Sequence, residues 1–444
     1  MNPHYLDHVM AVSATHRVQA TEDVVARNGM KLLARGAVVD EGMRERLLEH
    51  KLQKPLEDCV EVVGGVIPAR FGPIAEELLE RHPVLPALCT PGPATPVPAT
   101  LAGLRLSMPV QSLLTVYASY KADRLGHTVG VAMLALALAR RLMPGDVGTH
   151  RTLALAGLVH DVGELYIDPA FLRADRPLDA AKWRHVVSHP VVGHRVLRGM
   201  PGAGKEVAEA VLQHHERLDG FGYPQGLGHR ALPLAGQVLA VSEWLMALVE
   251  SNPSPLGHAR LAAALMPGEF HRDLLGVLAS AARSSEEVVA AEAAPLPLEE
   301  AIARARRIAD TVQRFHAARP WIDERLAAAG PALRGLLLHG LARMRRICQA
   351  FSRTGLDIGH PEVTLRELAA LPDPWVQAEV SMIVRELGWR LRELERAQLL
   401  GVARMSGDDQ AVVAELIGRV KPPRPGAGPA GADRPLRDAL AAAA

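Results

Sequence analysis

Eight histidine and acidic residues follow one another through the central part of the chain, and all are residue types that bind metal ions. In order they are Asp123, His127, His160, Asp161, His189, His214, His215 and Glu243. An apolar helical core has no structural need for such a series, and burying these groups without partners is costly. A bound metal ion removes that cost. Because imidazole and carboxylate ligands together suit iron, manganese, cobalt or zinc better than calcium or magnesium, the series predicts a transition-metal site.

The spacing of these residues fits helices that present them to a common site. Asp123 and His127 are four residues apart, so on a helix they share one face and can reach one ion. His160 and Asp161 end an apolar helical run, where the imidazole can bind one ion and the carboxylate can lie between two. The adjacent histidines at 214–215 would point about 100° apart on a helix, so each could bind a different ion.

The elements around this series are predicted to be helical. From Met108 to about Glu250, apolar residues recur at three- and four-residue spacing, and no strand pattern is evident. The longest apolar stretch, Val129 to Ala139, is too short to span a membrane and predicts a buried helix. A further helical block follows, whose strongest helix, near residues 375–400, is a candidate for dimer contacts, partner contacts or an intramolecular cap.

The first part of the chain predicts a small α+β unit. Asn28-Gly29 supplies the positive φ angles of a hairpin turn, and Asp40 resembles the N-cap of a following helix. Prolines predict a semi-extended linker after this unit. The predicted organisation is a small α+β domain at 1–82, a linker at 83–100, a helical metal-binding domain at 101–256, a helical region at 257–418 and a flexible tail at 419–444.

Composition excludes several classes of protein. The 444 residues are 48% hydrophobic and 22% charged, which indicates a globular protein of more than one domain. A net charge of +1 and 4% aromatic residues argue against a nucleic-acid partner. The 3 cysteines cannot form a disulfide framework and indicate a reducing compartment. With no evident secretory signal or membrane span, we expect a cytoplasmic protein.

A specific motif begins at His214, where residues 214–224 read HHERLDGFGYP. It is accompanied, in order, by HDVGE at 160–164, HPVVGH at 189–194 and AVSEWLMAL at 240–248. This combination resembles the HD-GYP phosphohydrolases, HD-superfamily enzymes that hydrolyse cyclic di-GMP. The resemblance covers roughly Asp123 to Leu248, under a third of the chain.

The resemblance implies a mainly α fold, with an all-helical HD domain that holds two or three divalent ions, usually iron or manganese. Carried over position by position, six residues match the family's ligands, and the other two keep a carboxylate in a conservative change. The six are His127, His160, Asp161, His189, His214 and His215. Asp123 stands where trinuclear members have a glutamate, and Glu243 where the family has an aspartate. The implied reaction is phosphodiester hydrolysis by a hydroxide that bridges the ions, with His160 and Asp161 as catalytic residues and Asp161 between the ions. The products would be linear pGpG or GMP.

The GYP loop supplies further candidates for contact with substrate or for loop structure. Gly222 and Pro224 shape a tight loop, and Tyr223 packs there or faces a protein partner. Asp219 is expected to stabilise the loop rather than bind metal.

Three positions depart from the family pattern. Glu164 stands where the family has a lysine that contacts the substrate phosphate. Residues 252–255 read Asn-Pro-Ser-Pro in place of a basic run, and Met246 replaces a second aspartate. An anion beside a dianionic substrate repels it by about 1–3 kcal/mol when both are partly desolvated.

These departures leave alternatives open. Glu164 could turn outward or pair with Arg173 or Lys182, and Arg184 or Arg195 could bind phosphate instead. The complete ligand set favours an active cyclic di-GMP phosphodiesterase, whereas the departures favour a degenerate HD-GYP domain that acts as a nucleotide-signalling or scaffolding module. A third possibility is hydrolysis of a less charged phosphate ester. The predicted partners are a cyclic dinucleotide, a protein at the GYP loop and a second copy in a homodimer.

Overall fold

The structure, a computed structural model, describes residues 1–89, 95–120, 123–172, 180–251, 254–284, 295–371, 374–403 and 405–422. The chain forms two compact units. The first comprises Met1–Ala174, His185–Ser251 and Gly268–Glu287, and the second comprises Asp175–Arg184, Asn252–Pro267 and Val288–Ala444. All the candidate metal ligands lie in the first unit. The units do not divide at the proline-rich segment, since residues 1–82 and the segment with the ligands belong to the same unit.

The strands all lie near the N-terminus. Strand β1 (Val18–Ala20) pairs antiparallel with β4 (Val60–Val62), and β2 (Val24–Val25) pairs antiparallel with β3 (Lys31–Leu33). The turn between β2 and β3 contains Gly29 with φ 88°, a conformation that glycine adopts without strain. The predicted hairpin at Asn28-Gly29 is therefore confirmed.

Six helices complete the N-terminal part of the first unit. They are α1 (Pro3–Ser13), α2 (Arg44–Glu49), α3 (Leu56–Cys59), α4 (Phe71–Arg81), α5 (Val84–Cys89) and α6 (Val97–Ala102). Residues 1–82 thus contain both strands and helices, as predicted, but they do not form a compact unit of their own.

The extended conformation predicted for residues 83–100 is wrong where the structure describes this segment. Helices α5 and α6 lie within it, and residues 90–94 lie outside the described part of the chain. Pro98 falls in the first turn of α6, where a proline costs no hydrogen bond. Val97 and Leu101 are buried, so apolar packing stabilises this short helix.

The central segment is helical. Its helices are α7 (Met108–Tyr120), α8 (Arg124–Leu142), α9 (Val147–Val159), α10 (Ala180–Val186), α11 (His189–Gly199), α12 (Gly204–Gln213) and α13 (Leu234–Ser251). A short 3-10 turn, Val162–Tyr166, connects the end of α9 to the following chain. Helices α8 and α9 approach closely, since a Cβ at Gly157 would lie only 2.6 Å from Cα of Ala132. Among the described residues between 108 and 250 there is no strand, as predicted.

Two of these helices, α8 and α13, are long and apolar enough to cross a membrane by composition alone. In the folded unit, 72% of the apolar window of α8 and 56% of that of α13 are buried. Their apolar surface is therefore used in packing, and Val129 to Ala139 form a buried part of α8, as predicted.

The 3-10 turn is held by residues from the start of the chain. The rings of Tyr5 and Tyr166 stack with centroids 4.8 Å apart. The Tyr166 hydroxyl donates a hydrogen bond to Glu57 at 2.8 Å, and the Asn2 side chain donates to the Tyr166 carbonyl oxygen at 3.0 Å. The N-terminal residues thus fix the end of the turn whose other residues include Glu164.

The C-terminal part of the chain is helical, as predicted. Its helices are α14 (Pro255–Leu265), α15 (Arg272–Ser284), α16 (Leu298–Ala317), α17 (Arg319–Ala328), α18 (Pro331–Arg353), α19 (Pro361–Ala369), α20 (Pro374–Val402) and α21 (Gly407–Val420). Helix α15 belongs to the first unit, although the sequence placed it in the C-terminal region. The other seven form the second unit, with apolar clusters that include Phe315, Phe351 and Val402. The strong helix predicted near 375–400 is α20.

Candidate metal centre

His160 and Asp161 directly follow α9, and both are buried. Nδ1 of His160 lies 2.8 Å from the carbonyl oxygen of Gly157, which places the ring proton on Nδ1 and leaves Nε2 as a lone-pair donor. Within the described residues, Nε2 makes no well-directed hydrogen bond. Carboxylate oxygens of Asp161 and Glu243 lie 3.3 and 3.2 Å from it. A buried ring nitrogen that faces two carboxylates without a well-directed hydrogen bond suits a metal ligand.

His189 and His214 are oriented in the same way as His160, each by a hydrogen bond between Nδ1 and a backbone carbonyl oxygen. Nδ1 of His189 lies 2.8 Å from the carbonyl oxygen of Val186, and Nδ1 of His214 lies 2.6 Å from that of Val211. The two Nε2 atoms are 3.0 Å apart. Oδ1 of Asp161 is 3.2 Å from Nε2 of His189 and 3.6 Å from that of His214. Two lone pairs at this separation repel unless a proton or a cation lies between them, so the arrangement fits a metal ion.

The predicted ligands form two groups that share one carboxylate. The first group is Asp161, His189, His214 and His215, and the second is His127, His160 and Asp161. Within each group the ligand atoms all lie within 4.8 Å of one another. Nitrogen and oxygen donors in this mixture suit first-row transition metals. The residues therefore fit a centre of two ions with Asp161 facing both.

Glu243 joins the second group from α13. Its Oε2 lies 3.1 Å from Nε2 of His127 and 3.2 Å from Nε2 of His160. Glu250, further along α13, lies 3.0 Å from Nδ1 of His127. Burial disfavours the charged form of His127, but the two glutamates outweigh it and raise its pKa to about 10. Glu250 is thus a site residue that the sequence analysis did not identify.

The charges of the first group also suit metal binding. Burial tends to raise the pKa of Asp161, but the neighbouring histidines, above all His160, hold it well below its usual range. Burial and the neighbours His214 and His189 keep the pKa of His215 well below its usual value. Asp161 is therefore ionised and His215 neutral, which are the forms that bind a metal ion.

Asp123 is the one predicted ligand that the structure does not bring to the cluster. It is the N-cap residue of α8, its side chain is exposed, and it belongs to neither ligand group. His127, one helical turn later, is largely buried, because α8 enters the core between these two positions. The expectation that Asp123 and His127 reach one ion is not supported, and the next residue, Arg124, lies at the cluster instead.

Arg124 contacts two carboxylates at the edge of the cluster. Its Nη1 lies 3.3 Å from Oδ2 of Asp161, and its Nη2 lies 3.0 Å from Oε2 of Glu164. Glu164 is only 7% exposed, so it does not turn outward. One of its ion-pair partners is Arg124, which the sequence analysis did not suggest. Of the two partners it did suggest, Arg173 and Lys182, Arg173 lies outside the described residues.

The GYP loop is organised by Glu216, a second residue that the sequence analysis did not single out. Glu216 is fully buried, and its carboxylate accepts hydrogen bonds from the backbone N–H groups of Gln225 at 2.7 Å and Leu227 at 2.9 Å. Pro224 directly precedes the first of these donors. A Cβ at Gly222 would overlap backbone atoms of Glu216 and of the next residue, so only glycine fits there.

Tyr223 and Asp219 lie on the same loop in different surroundings. The Tyr223 ring stacks on His215 with centroids 4.6 Å apart, which places the tyrosine beside the first ligand group. The Asp219 carboxylate accepts a hydrogen bond from the Phe221 backbone N–H at 3.1 Å, the geometry of a loop-stabilising Asx turn. Asp219 is in neither ligand group.

Comparison with known proteins agrees with this geometry. Residues 112–267 match the family described as "HD domain". The central segment is an HD domain. Every residue of the two ligand groups lies within the match, and His160-Asp161 is the pair that gives the domain its name. HD-family proteins are metal-dependent, which agrees with the His/Asp cluster. The resemblance to HD-GYP phosphohydrolases is confirmed at the level of the family.

Curated relatives of the HD domain are named as phosphodiesterases. A cyclic di-GMP phosphodiesterase of Pseudomonas aeruginosa is 34% identical over 131 residues, which are 30% of this chain and 31% of the relative. A 3'3'-cGAMP-specific phosphodiesterase of Vibrio cholerae is 30% identical over 162 residues, 36% of this chain and 37% of the relative. A cyclic di-GMP phosphodiesterase of Thermotoga maritima is 30% identical over 155 residues, 34% and 41% respectively. The alignments thus span only about a third to two fifths of these relatives' lengths.

The other two departures from the family pattern are Met246 and residues 252–255. Met246 is fully buried on α13 and packs over Gly130 of α8, so it fills the interface between these helices. Of the stretch that replaces the family's basic run, Asn252 and Pro253 lie outside the described residues, and Ser254 is the buried N-cap residue of α14.

The position of Asp123 predicts the metal content of the HD domain. We expect Asp123→Asn to bind as much metal as the wild type, no more than about two ions per chain, because its carboxylate lies outside both ligand groups. Elemental analysis of the purified protein after reconstitution with Mn(II) measures this. Loss of an ion in Asp123→Asn would show that Asp123 is a ligand after all.

Proposed function

We propose that the chain is a metal-dependent phosphodiesterase that hydrolyses a cyclic dinucleotide, with cyclic di-GMP as the leading substrate and linear pGpG or GMP as product. The observation that carries the proposal is Asp161, whose two oxygens face two separate groups of histidines. A carboxylate shared in this way suits a pair of ions that act on one phosphate group.

Two divalent ions, iron or manganese in our proposal, would lower the pKa of a bound water molecule and neutralise negative charge on the phosphate. The first would be held by His189, His214 and His215, the second by His127 and His160, with Asp161 common to both. Glu243 lies beside the second set. The chain's own contribution is preorganisation, because backbone carbonyl groups fix the rings of three of these histidines before any ion binds.

The class of substrate rests on the relatives, which are named for cyclic di-GMP or for 3'3'-cGAMP. Both molecules present phosphodiesters and purine bases. Tyr223, stacked on His215, lies where it could also meet a ring of the substrate. Cyclic di-GMP and 3'3'-cGAMP should therefore be tested side by side.

A second candidate function is a degenerate domain that binds metal and serves as a nucleotide-signalling or scaffolding module. The observation in its favour is Glu164, which places a carboxylate beside the ligand cluster where the family has a lysine. Arg124 weakens this argument for a degenerate domain, because it lies 3.0 Å from Glu164 and balances its charge.

The proposed function predicts hydrolysis by the reconstituted protein. We expect wild-type chains loaded anaerobically with Fe(II) or Mn(II) to convert cyclic di-GMP to linear dinucleotide or GMP, separated by chromatography. The double variant His160→Ala/Asp161→Ala should form no product. If metal-loaded wild-type chains convert neither cyclic di-GMP nor 3'3'-cGAMP, the phosphodiesterase proposal fails and the scaffold becomes the better account.

Several further properties belong to the same proposal. We expect a cytoplasmic location, a domain boundary near residue 256, and contact of the GYP loop with a protein partner. Self-association through the C-terminal helices, α20 in particular, is the proposed basis of a homodimer.

A further inference from the structure

Among the described residues, Arg124 lies at the edge of the buried ligand cluster and is partly exposed to solvent. The Arg124 side chain is 21% exposed, whereas its two carboxylate partners, Asp161 and Glu164, are 8% and 9% exposed. Its guanidinium group contacts both carboxylates, while the side chain as a whole is partly exposed. An anion that approaches the cluster from solvent past this residue meets a positive charge.

The contacts fix this charge in place. Nη1 of Arg124 lies 3.3 Å from Asp161 and Nη2 lies 3.0 Å from Glu164, so the side chain is held at two points. An arginine guanidinium group stays protonated throughout the physiological pH range, so the charge is permanent. A planar guanidinium group with five N–H donors can bond two carboxylates and still donate to a phosphate oxygen.

The ion pair of Arg124 with Glu164 also changes the net charge at the edge of the ligand cluster. Asp161 and Glu164 are both buried at the same edge, and without Arg124 they would place two neighbouring negative charges where a phosphate has to bind. With Arg124 present, the charge of Glu164 is balanced, and the same guanidinium group also contacts Asp161 of the cluster. Glu164 thus forms an ion pair that holds the Arg124 cation at the edge of the ligand cluster.

We propose that Arg124 binds a phosphate oxygen of the substrate at the metal cluster. That this phosphate belongs to a cyclic dinucleotide rests on the proposed function. Arg124 would then serve as a substrate-binding residue, supplied by the first turn of α8 and not by the turn that carries Glu164.

The test uses inorganic phosphate, which is not consumed, as the probe. Calorimetric titration of phosphate into metal-loaded full-length chains should show about tenfold weaker binding for Arg124→Gln than for the wild type, with unchanged metal content. The double variant Arg124→Gln/Glu164→Lys returns a cation to the same edge and should recover most of the affinity. Arg151→Gln, which removes an exposed arginine on α9, is the matched control and should bind phosphate as the wild type does.

The outcomes separate this inference from the proposed function. Equal phosphate binding by Arg124→Gln and wild type, or loss of metal from Arg124→Gln, would overturn the role of Arg124 in binding phosphate. Failure of wild-type chains to bind phosphate would also overturn it. If phosphate binding depends on Arg124 but no cyclic dinucleotide is hydrolysed, the inference stands and the proposed function fails. If Arg124→Gln hydrolyses cyclic di-GMP as well as the wild type does, the proposed function stands and the inference about Arg124 fails.

Discussion

Asp161→Asn is expected to remove metal binding and hydrolysis together. Asp161 is the only residue common to the two ligand groups among the described residues, so its loss affects both ions. Removing even an outer partner of a metal ligand costs roughly 10–100-fold in affinity. We therefore expect the loss of a shared ligand to exceed about a hundredfold and to leave no measurable turnover of cyclic di-GMP.

The substitution also removes a negative charge from a buried group of histidines. In the metal-free protein, His160 and His189 lie 3.3 and 3.2 Å from the Asp161 carboxylate, which raises the pKa of both despite their burial. Asparagine cannot provide this charge. Elemental analysis, hydrolysis and thermal unfolding with and without Mn(II) measure the three consequences, and we expect the metal to stabilise the wild type but not Asp161→Asn.

Asp123→Asn is the matched control, because it changes an exposed carboxylate close to the same site. It should keep its metal and its activity. If Asp161→Asn retained both ions, the two ligand groups could not depend on the shared carboxylate, and the two-ion proposal would be wrong.

Gly163→Ala is expected to destabilise the protein and to weaken metal binding. A Cβ at position 163 would overlap the carbonyl oxygen of His189 and lie 2.8 Å from the backbone nitrogen of Gly193. Both neighbours are backbone atoms of α11, so the clash cannot be relieved by rotating a side chain. Overpacking of this kind costs about 1–3 kcal/mol and shifts the elements that touch.

The 3-10 turn and α11, which would shift, each adjoin or carry a ligand of the first group. Asp161 precedes the 3-10 turn and His189 begins α11, so separating them pulls the first ligand group apart. Urea unfolding gives the loss in free energy, and elemental analysis gives the loss of metal. Gly126→Ala in α8 is the control, since a Cβ there meets nothing within 4 Å and alanine favours a helix. Wild-type stability and metal content in Gly163→Ala would disprove the close approach of the turn and α11.

The metal ligands could be found from the sequence because their chemistry is unusual in an apolar helical block. His160, His189 and His214 each lie at a helix end and bond the carbonyl oxygen three residues earlier, so local sequence largely decides their orientation. Asp123 was misplaced because four-residue spacing indicates a shared face only inside a helix. At the N-cap the same spacing leaves the side chain in solvent.

Arg124 and Glu250 could not be assigned to the site in the same way. An arginine in the first turn of a helix is most often solvated, and only the packing of α8 against the turn after α9 brings it to Asp161 and Glu164. Glu250 does share a helical face with Glu243, two turns earlier on α13, and this spacing is a signal that could have been used. The helices at 83–100 were missed because burial, which composition does not reveal, outweighed the proline content.

The stacking of Tyr5 on Tyr166 connects the first residues of the chain to the 3-10 turn beside the candidate metal site. Tyr166 and Glu164 belong to the same 3-10 turn, so the packing of α1 on Tyr166 also helps to position Glu164, which pairs with Arg124. A fragment that begins at residue 101 would contain every candidate ligand but would lack Tyr5, Asn2 and Glu57, which anchor that turn. The N-terminal residues therefore support the turn that carries Glu164, and their removal is expected to loosen it.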